Sequence, residues 1–321
     1  MPKRIIIDTD PGVDDALALL LAFRSPELKV EAITTVAGNV SVEIGTANAF
    51  TIVELLDLPP PPISKGYSRP LKRALFTAER VHSSDGLGGL RTLEDGGKKR
   101  YPLPSIRLFG RDAPETILRL VDQYPHEITL IPIGPLTNVA TTLERDRKTM
   151  AKLKEIILMG GAFSVPGNVT PRAEFNIFVD PEAAQAVLNS GIPITIVGLD
   201  VTMRVRISSE ALSGRVEQGG RVGQFVRDLT SVMSQRASGI TLHDPLAVGV
   251  AIDRTFVKTE KVHVTVETEG KFTTGMTVAD LRHDRLARGL PLNVEIALEV
   301  DSTRFLNFFL DRVVGGERTN G

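Results

Sequence analysis

Hydrophobic positions fall in short blocks whose period alternates along the chain. Ile5, Ile6 and Ile7 form a β-branched run bounded by turn residues, which predicts a buried strand. Beyond Pro11 and Gly12, Ala16 to Phe23 is apolar enough to predict a helix covered on both sides. Val30 to Ala37 predicts a second strand, and Ser41 to Leu56 has helical period with Ser41 as N-cap. Pro59 to Pro62 ends that helix, and Ile63 leads into Gly66. Arg69 to Arg107 then breaks the pattern, being rich in glycine, proline and charge. The alternation resumes with a helix over Asp112 to Tyr124, a strand over Ile128 to Ile133, a turn at Gly134-Pro135 and a helix over Thr137 to Arg145. Ile156 to Met159 predicts a short strand closed by Gly160-Gly161. Asp180-Pro181 pairs an N-cap with proline at the first helical position, starting a helix over Glu182 to Asn189. Ile192 to Leu199 predicts another strand, and helical period dominates at Ser208 to Leu212, Arg221 to Ser234 and Leu246 to Ile252. Val262 to Val266 and Asn293 to Val300 read as strands, Asp301 to Phe309 as a closing helix, and Gly315 onward as frayed. Strand–helix alternation of this kind predicts an α/β fold, an open and mostly parallel sheet flanked by helices with a Rossmann-like core. No linker or repeat interrupts it, so one domain over residues 1–321 is expected.

Composition narrows the class. With 321 residues and 42% hydrophobic content, the chain can bury a substantial core. A net charge of −1 with interspersed signs makes no electrostatic footprint for nucleic acid or an anionic membrane. The absence of cysteine excludes disulfides, thiolate metal sites and cysteine nucleophiles. No signal-peptide pattern opens the chain and no apolar run nears a membrane span, so a cytoplasmic protein is expected.

Candidate chemistry concentrates at the start. Asp8, Asp10, Asp14 and Asp15 fall between the first strand's carboxyl end and the first turn of the helix. Capping by Asp14 or Asp15 accounts for one or two acids, since a carboxylate at a helix N-terminus is favourable. Four acids this close repel one another unless a proton or a cation sits among them. Crowded oxygen ligands suit Ca²⁺ or Mg²⁺. Asp10, Asn39 and Asp200 all stand where strands finish, the place where ligands bind in open α/β sheets. The irregular stretch contains His82-Ser83-Ser84-Asp85-Gly86-Leu87-Gly88-Gly89 and reads as an active-site loop or a plain surface loop. Gly167 to Phe178 carries Asn168, Glu174 and Asn176, which suit hydroxyl recognition but also ordinary loop polarity. His243-Asp244 precedes an apolar helix, where histidine could donate a proton and Asp244 could serve as N-cap or metal ligand.

Asp8-Thr9-Asp10-Pro11-Gly12-Val13-Asp14-Asp15-Ala16-Leu17-Ala18 resembles the N-terminal signature of the nucleoside hydrolases, the inosine–uridine-preferring type in particular. The resemblance continues, in family order, through Val36-Ala37-Gly38-Asn39, Leu158-Met159-Gly160-Gly161, Ala173-Glu174-Phe175-Asn176 with Asp180-Pro181, His243-Asp244-Pro245 and Gly275 to Asp280. It implies hydrolysis of the N-glycosidic bond of ribonucleosides, a tightly bound Ca²⁺ and a homodimer or homotetramer. By the same resemblance, Asp10, Asp15 and Asp244 would ligate calcium through carboxylates and Ile133 through its main-chain oxygen. Asp14, Asn39 and Asn176 would hold the ribose 2′- and 3′-hydroxyls, and Asn168 and Glu174 the 5′-hydroxyl. Met159 would pack near the ribose, and His82 would contact substrate from the irregular stretch. Asp10 would act as general base on a calcium-bound water, and His243 would protonate the departing base.

Two departures from the family pattern bear on the base. Thr230 to Thr241 holds no aromatic residue, which leaves Met233, Gln235 and Arg236 as candidates to face it. Serine follows His82 where glycine is usual. Two other readings compete. A haloacid-dehalogenase-like phosphatase would use Asp8 and Asp10 with Mg²⁺, but leaves Asp14-Asp15 and His243-Asp244 without a role. A calcium-dependent nucleoside- or sugar-binding protein would need neither a base nor an acid.

Overall fold

The computed structural model describes residues 1–106, 108, 110–236, 239–283 and 289–315, with backbone alone for 232–236. Among them, β1 (Lys3–Thr9), β2 (Leu28–Thr35), β3 (Ile63–Lys65), β4 (Thr129–Pro132), β5 (Glu155–Met159), β6 (Ile194–Val197), β7 (Val257–Val262) and β8 (Val294–Val300) form one sheet. The strand order is β7-β8-β6-β5-β4-β1-β2-β3. Every neighbouring pair is parallel except β7 with β8. Successive side chains on a strand point to opposite faces, so β1 feeds two cores at once. Ile5 and Ile7 join one apolar cluster, while Ile6 joins the other. That double burial explains why its sequence is a continuous β-branched run rather than an alternating one.

The helices that matter for the site are α1 (Val13–Phe23), α2 (Val42–Leu55), α3 (Ala113–Gln123), α4 (Thr137–Arg145), α5 (Phe175–Val179), α6 (Pro181–Leu188), α7 (Gly220–Arg236), α8 (His243–Ile252) and α9 (Ser302–Val313). Their starts follow the capping residues: Ser41 accepts from Ile44 N at 3.4 Å, Asp112 from Glu115 N at 2.8 Å and Asp180 from Ala183 N at 3.1 Å. α1 and α8 are apolar nearly all round, and they pack on each other. Their contact is what brings Asp14 and Asp15 to His243 and Asp244.

Several boundaries differ from the sequence pattern. α8 starts at His243 rather than Leu246, and Leu242 occupies the cap, so Asp244 is a first-turn residue and not the N-cap. Val262 to Val266 is not one strand: β7 ends at Val262, and Val264–Val266 pairs antiparallel with Thr277–Ala279. The irregular stretch holds a short helix at Glu79–His82 and a small pairing of Glu94–Asp95 with Lys98–Lys99. Asp85 gathers its glycine-rich turn by accepting from Leu87, Gly89 and Arg91 amides. Of the stretch expected to fray, residues 316–321 lie outside the described residues.

Candidate active site

β1 lies between β2 and β4, so the chain's crossovers leave it in opposite directions and open a crevice at its carboxyl end. A cavity of about 460 Å³ occupies that crevice. Asp14, Asn39, His82, Ile133, Met159, Asn168, Glu174, Asn176, His243 and Asp244 all line it. Asp10 and Asp15 are fully buried beneath. The expected site residues, drawn from across the chain, therefore meet in one place.

Asn39 holds the floor together. Its backbone N–H donates to Asp10 Oδ2 at 2.6 Å, and its side-chain amide donates to Asp15 Oδ2 at 3.0 Å. Asp15 also accepts from Gly12 N at 2.9 Å and from the Thr9 hydroxyl at 2.5 Å. The other Asp10 oxygen, Oδ1, is buried without a hydrogen-bond partner among the described residues. Glycines make room for this carboxylate. A Cβ on Gly134 would stand 2.5 Å from Oδ1, and one on Gly38 would collide with Oδ2. Gly134 follows Ile133, whose carbonyl accepts from Asn176 Nδ2 at 2.9 Å and keeps a second lone pair.

The wall is built from the 167–178 segment. Glu174 caps α5, Oε1 accepting from Asn176 N at 2.9 Å and Oε2 from Ile177 N at 3.1 Å and Gly161 N at 3.0 Å. Asn168 Oδ1 accepts from Phe175 N at 2.9 Å, which leaves its amide N–H₂ free for a ligand. Asn176 donates to Met159 O as well as Ile133 O, so its Oδ1 is the group left for one. On the opposite side, His82 Nδ1 accepts from Val13 N at 3.1 Å, and His243 Nδ1 lies 2.8 Å from the Thr202 hydroxyl.

Electrostatically the site is strained toward neutral acids. Burial raises Asp10, Asp14, Asp15, Glu174 and Asp244 above the ordinary carboxylate range, Asp10 and Asp244 far above it. Mutual repulsion adds to it: Asp15 raises Asp10, Asp14 raises Asp15, and both raise Asp244. Burial also lowers both histidines, His82 to about 4, although the Asp14 charge pulls His243 back up. Oxygens of Asp14, Asp15 and Asp244 lie within 4.8 Å of one another, a set of hard donors whose repulsion a divalent cation would relieve. The orphaned Asp10 oxygen in its glycine cradle fits the same group.

Two sequence expectations change. Asp8 leaves the site, because its side chain points into the sheet and accepts from Thr34 at 2.5 Å and Asn138 at 2.7 Å. Asp200 accepts from Phe163 and Ser164 amides at 2.9 and 2.8 Å, clamping a loop instead of facing the cavity. The side chains of Met233, Gln235 and Arg236 lie outside the described residues. Phe76, Phe175, Arg206 and Thr241 line the cavity without having been singled out. An aromatic in a polar, irregular stretch was the available signal for Phe76; Arg206 gave none.

The model of the family described as inosine-uridine preferring nucleoside hydrolase matches residues 5–307. An inosine-uridine preferring nucleoside hydrolase of Leishmania major is 37% identical over 321 residues, covering 97% of each chain. A pyrimidine-specific ribonucleoside hydrolase of Shewanella is 38% identical over 318 residues, covering 97% of this chain and 96% of its own. Among solved structures, a purine-preferring ribonucleoside hydrolase from Gardnerella vaginalis superposes with a TM-score of 0.88 at 34% identity, covering 98% of both chains. These relatives carry three different base preferences in their names, so similarity alone assigns none here.

Proposed function

The chain belongs to the inosine-uridine preferring nucleoside hydrolases, which hydrolyse ribonucleosides, and we propose that it releases free ribose and a purine or pyrimidine base with Ca²⁺ held at the acidic end of its cavity. The observation that carries this reading is the buried, unpartnered Asp10 oxygen beside a cluster of acids at the sheet's switch point. Asp10, Asp15 and Asp244, with the Ile133 carbonyl, would hold the cation. It would supply a positive charge that keeps these acids ionised together and makes a water near it more acidic.

The remaining work falls to the protein's own groups. Asp14, Asn39 and Asn176 hold the 2′- and 3′-hydroxyls, and Asn168 with Glu174 holds the 5′-hydroxyl. Met159 packs beside the sugar. The C1′–N bond breaks with its electron pair leaving on the base, and water adds its oxygen to C1′. Asp10 accepts the proton of that water as general base. Positive charge builds on the ribose, and preoriented acids stabilise it. His243, held by Thr202, donates a proton to the departing base, while His82 contacts substrate from the other side. A nucleoside lacking the 2′-hydroxyl leaves these polar groups unpaired and is discriminated against.

The test is reducing-sugar release from inosine, adenosine, guanosine, uridine and cytidine, with Ca²⁺ and after chelation. Asp10→Ala, shown to be folded by circular dichroism, serves as control. Release that needs metal and Asp10 supports the reading. Release that survives chelation overturns the calcium assignment, and undiminished release by Asp10→Ala overturns the base.

A further inference from the structure

Part of the cavity lining is aromatic. Phe76 and Phe175 line it with ring centroids 6.4 Å apart, and Phe178 braces Phe76 edge-on at 5.6 Å. Val81 and Val169 extend this apolar wall, which suits a flat ring. The chain thus supplies aromatic surface from the loop side and from α5, although the segment before His243 has none.

A cation also lines the cavity. Arg206 and Thr241 are direct partners across the antiparallel pair Arg206–Ser208 with Gly239–Thr241, and both line the cavity. Thr241 is two residues from His243, so Arg206 lies on the histidine's side of the pocket. Arg206 is exposed, and its guanidinium takes part in no hydrogen bond or ion pair among the described residues. Arg80 also lines the cavity, but it already has a partner.

We propose that Arg206 is the base-selecting residue, taking nucleosides whose base carries exocyclic oxygens and disfavouring those that carry an amino group in the same place. This rests on the ribonucleoside reading above. A guanidinium has donors and no acceptor. It pairs with the oxygens of uracil or hypoxanthine, whereas the amino groups of cytosine and adenine present a donor to a donor. The charge pattern agrees with the reaction. When the C1′–N bond breaks, the ribose end becomes positive against five acids, and the electron pair leaves on the base and spreads to its exocyclic oxygens, where a guanidinium favours it. Arg206 keeps its own proton throughout; the base takes its proton from His243 or solvent. The cavity is therefore polarised along the bond that breaks.

The test compares wild type, Arg206→Gln and Arg206→Lys for kcat/KM on uridine, cytidine, inosine, adenosine and p-nitrophenyl riboside. A hydrogen bond from a charged group predicts that Arg206→Gln loses about 10- to 100-fold on uridine and inosine. Cytidine, adenosine and the activated riboside, whose leaving group needs no assistance, should fall by less than about 3-fold. Arg206→Lys should recover part of the loss, since it retains charge without the planar fork. A uniform loss across all five substrates, or an unchanged uridine-to-cytidine ratio, overturns the assignment to Arg206 while leaving the hydrolase reading intact. Absence of ribose release by wild type from every substrate overturns both.

Discussion

Asn138 lies outside the cavity, yet it holds Asp8, the one acid of the first strand. It is fully buried at the start of α4. Its amide donates to Asp8 Oδ1 at 2.7 Å and to Thr35 O at 3.0 Å, and its Oδ1 accepts from Tyr67 N at 2.9 Å. Asn138→Ala leaves Tyr67 N without its acceptor and takes one of two donors from Asp8 Oδ1 and from Thr35 O, which keep the Thr34 hydroxyl and Gly66 N. A stranded group costs about 1–3 kcal/mol, and the lost donors and small void add to this. The expected loss is about 2–4 kcal/mol, a large share of the 5–15 kcal/mol typical of a folded domain. The loss should also depend on pH. Burial raises the Asp8 carboxyl to about 7, with Asn138 and Thr34 holding it down. An acid whose folded pKa exceeds its unfolded value binds more protons when folded, so its contribution to stability falls as pH rises between the two. Without Asn138 the folded value climbs further, and the window of loss extends above pH 7. Urea unfolding of both proteins at pH 6 and pH 8.5 measures this. A deficit below about 1 kcal/mol, or one that is equal at the two pH values, refutes the reasoning.

Three further outcomes follow from the same contacts. Free Ca²⁺ at a hundredfold excess over its dissociation constant should stabilise the fold by about 2.7 kcal/mol, raising Tm by several degrees, and a melt unmoved by calcium or chelator contradicts the metal assignment. Thr202→Val removes the hydroxyl 2.8 Å from His243 Nδ1 and should lower kcat on inosine about 3- to 10-fold. It should spare p-nitrophenyl riboside, and equal losses on the two would argue against His243 as acid. Gly249→Ala pushes a methyl against the buried Phe305 ring, and should cost about 1–3 kcal/mol in urea unfolding with the ratio among substrates unchanged.

Much of the molecule is legible in the sequence because its determinants are local. The Ile5–Ile7 run, the Pro11-Gly12 break and the apolar helix after it specify a buried strand–turn–helix within twenty residues. Capping by Ser41, Asp112 and Asp180 is likewise a matter of three residues' separation. The acids crowded into this turn point to a proton or a cation among them without any coordinates, since like charges this close repel one another.

Tertiary structure alone decided which acid does what. Asp8 lies on β1 and Asp10 just beyond its end, yet Asp8 is claimed by Asn138, 130 residues away, and Asp10 by Asn39. Asp200 looked like a third strand-end ligand and is instead satisfied by two loop amides. Phe76, Phe175 and Arg206 line the cavity from three distant segments with no common period or spacing. A carboxylate's role depends on which donors desolvate and pair it, and those donors arrive from distant segments only once the sheet has closed.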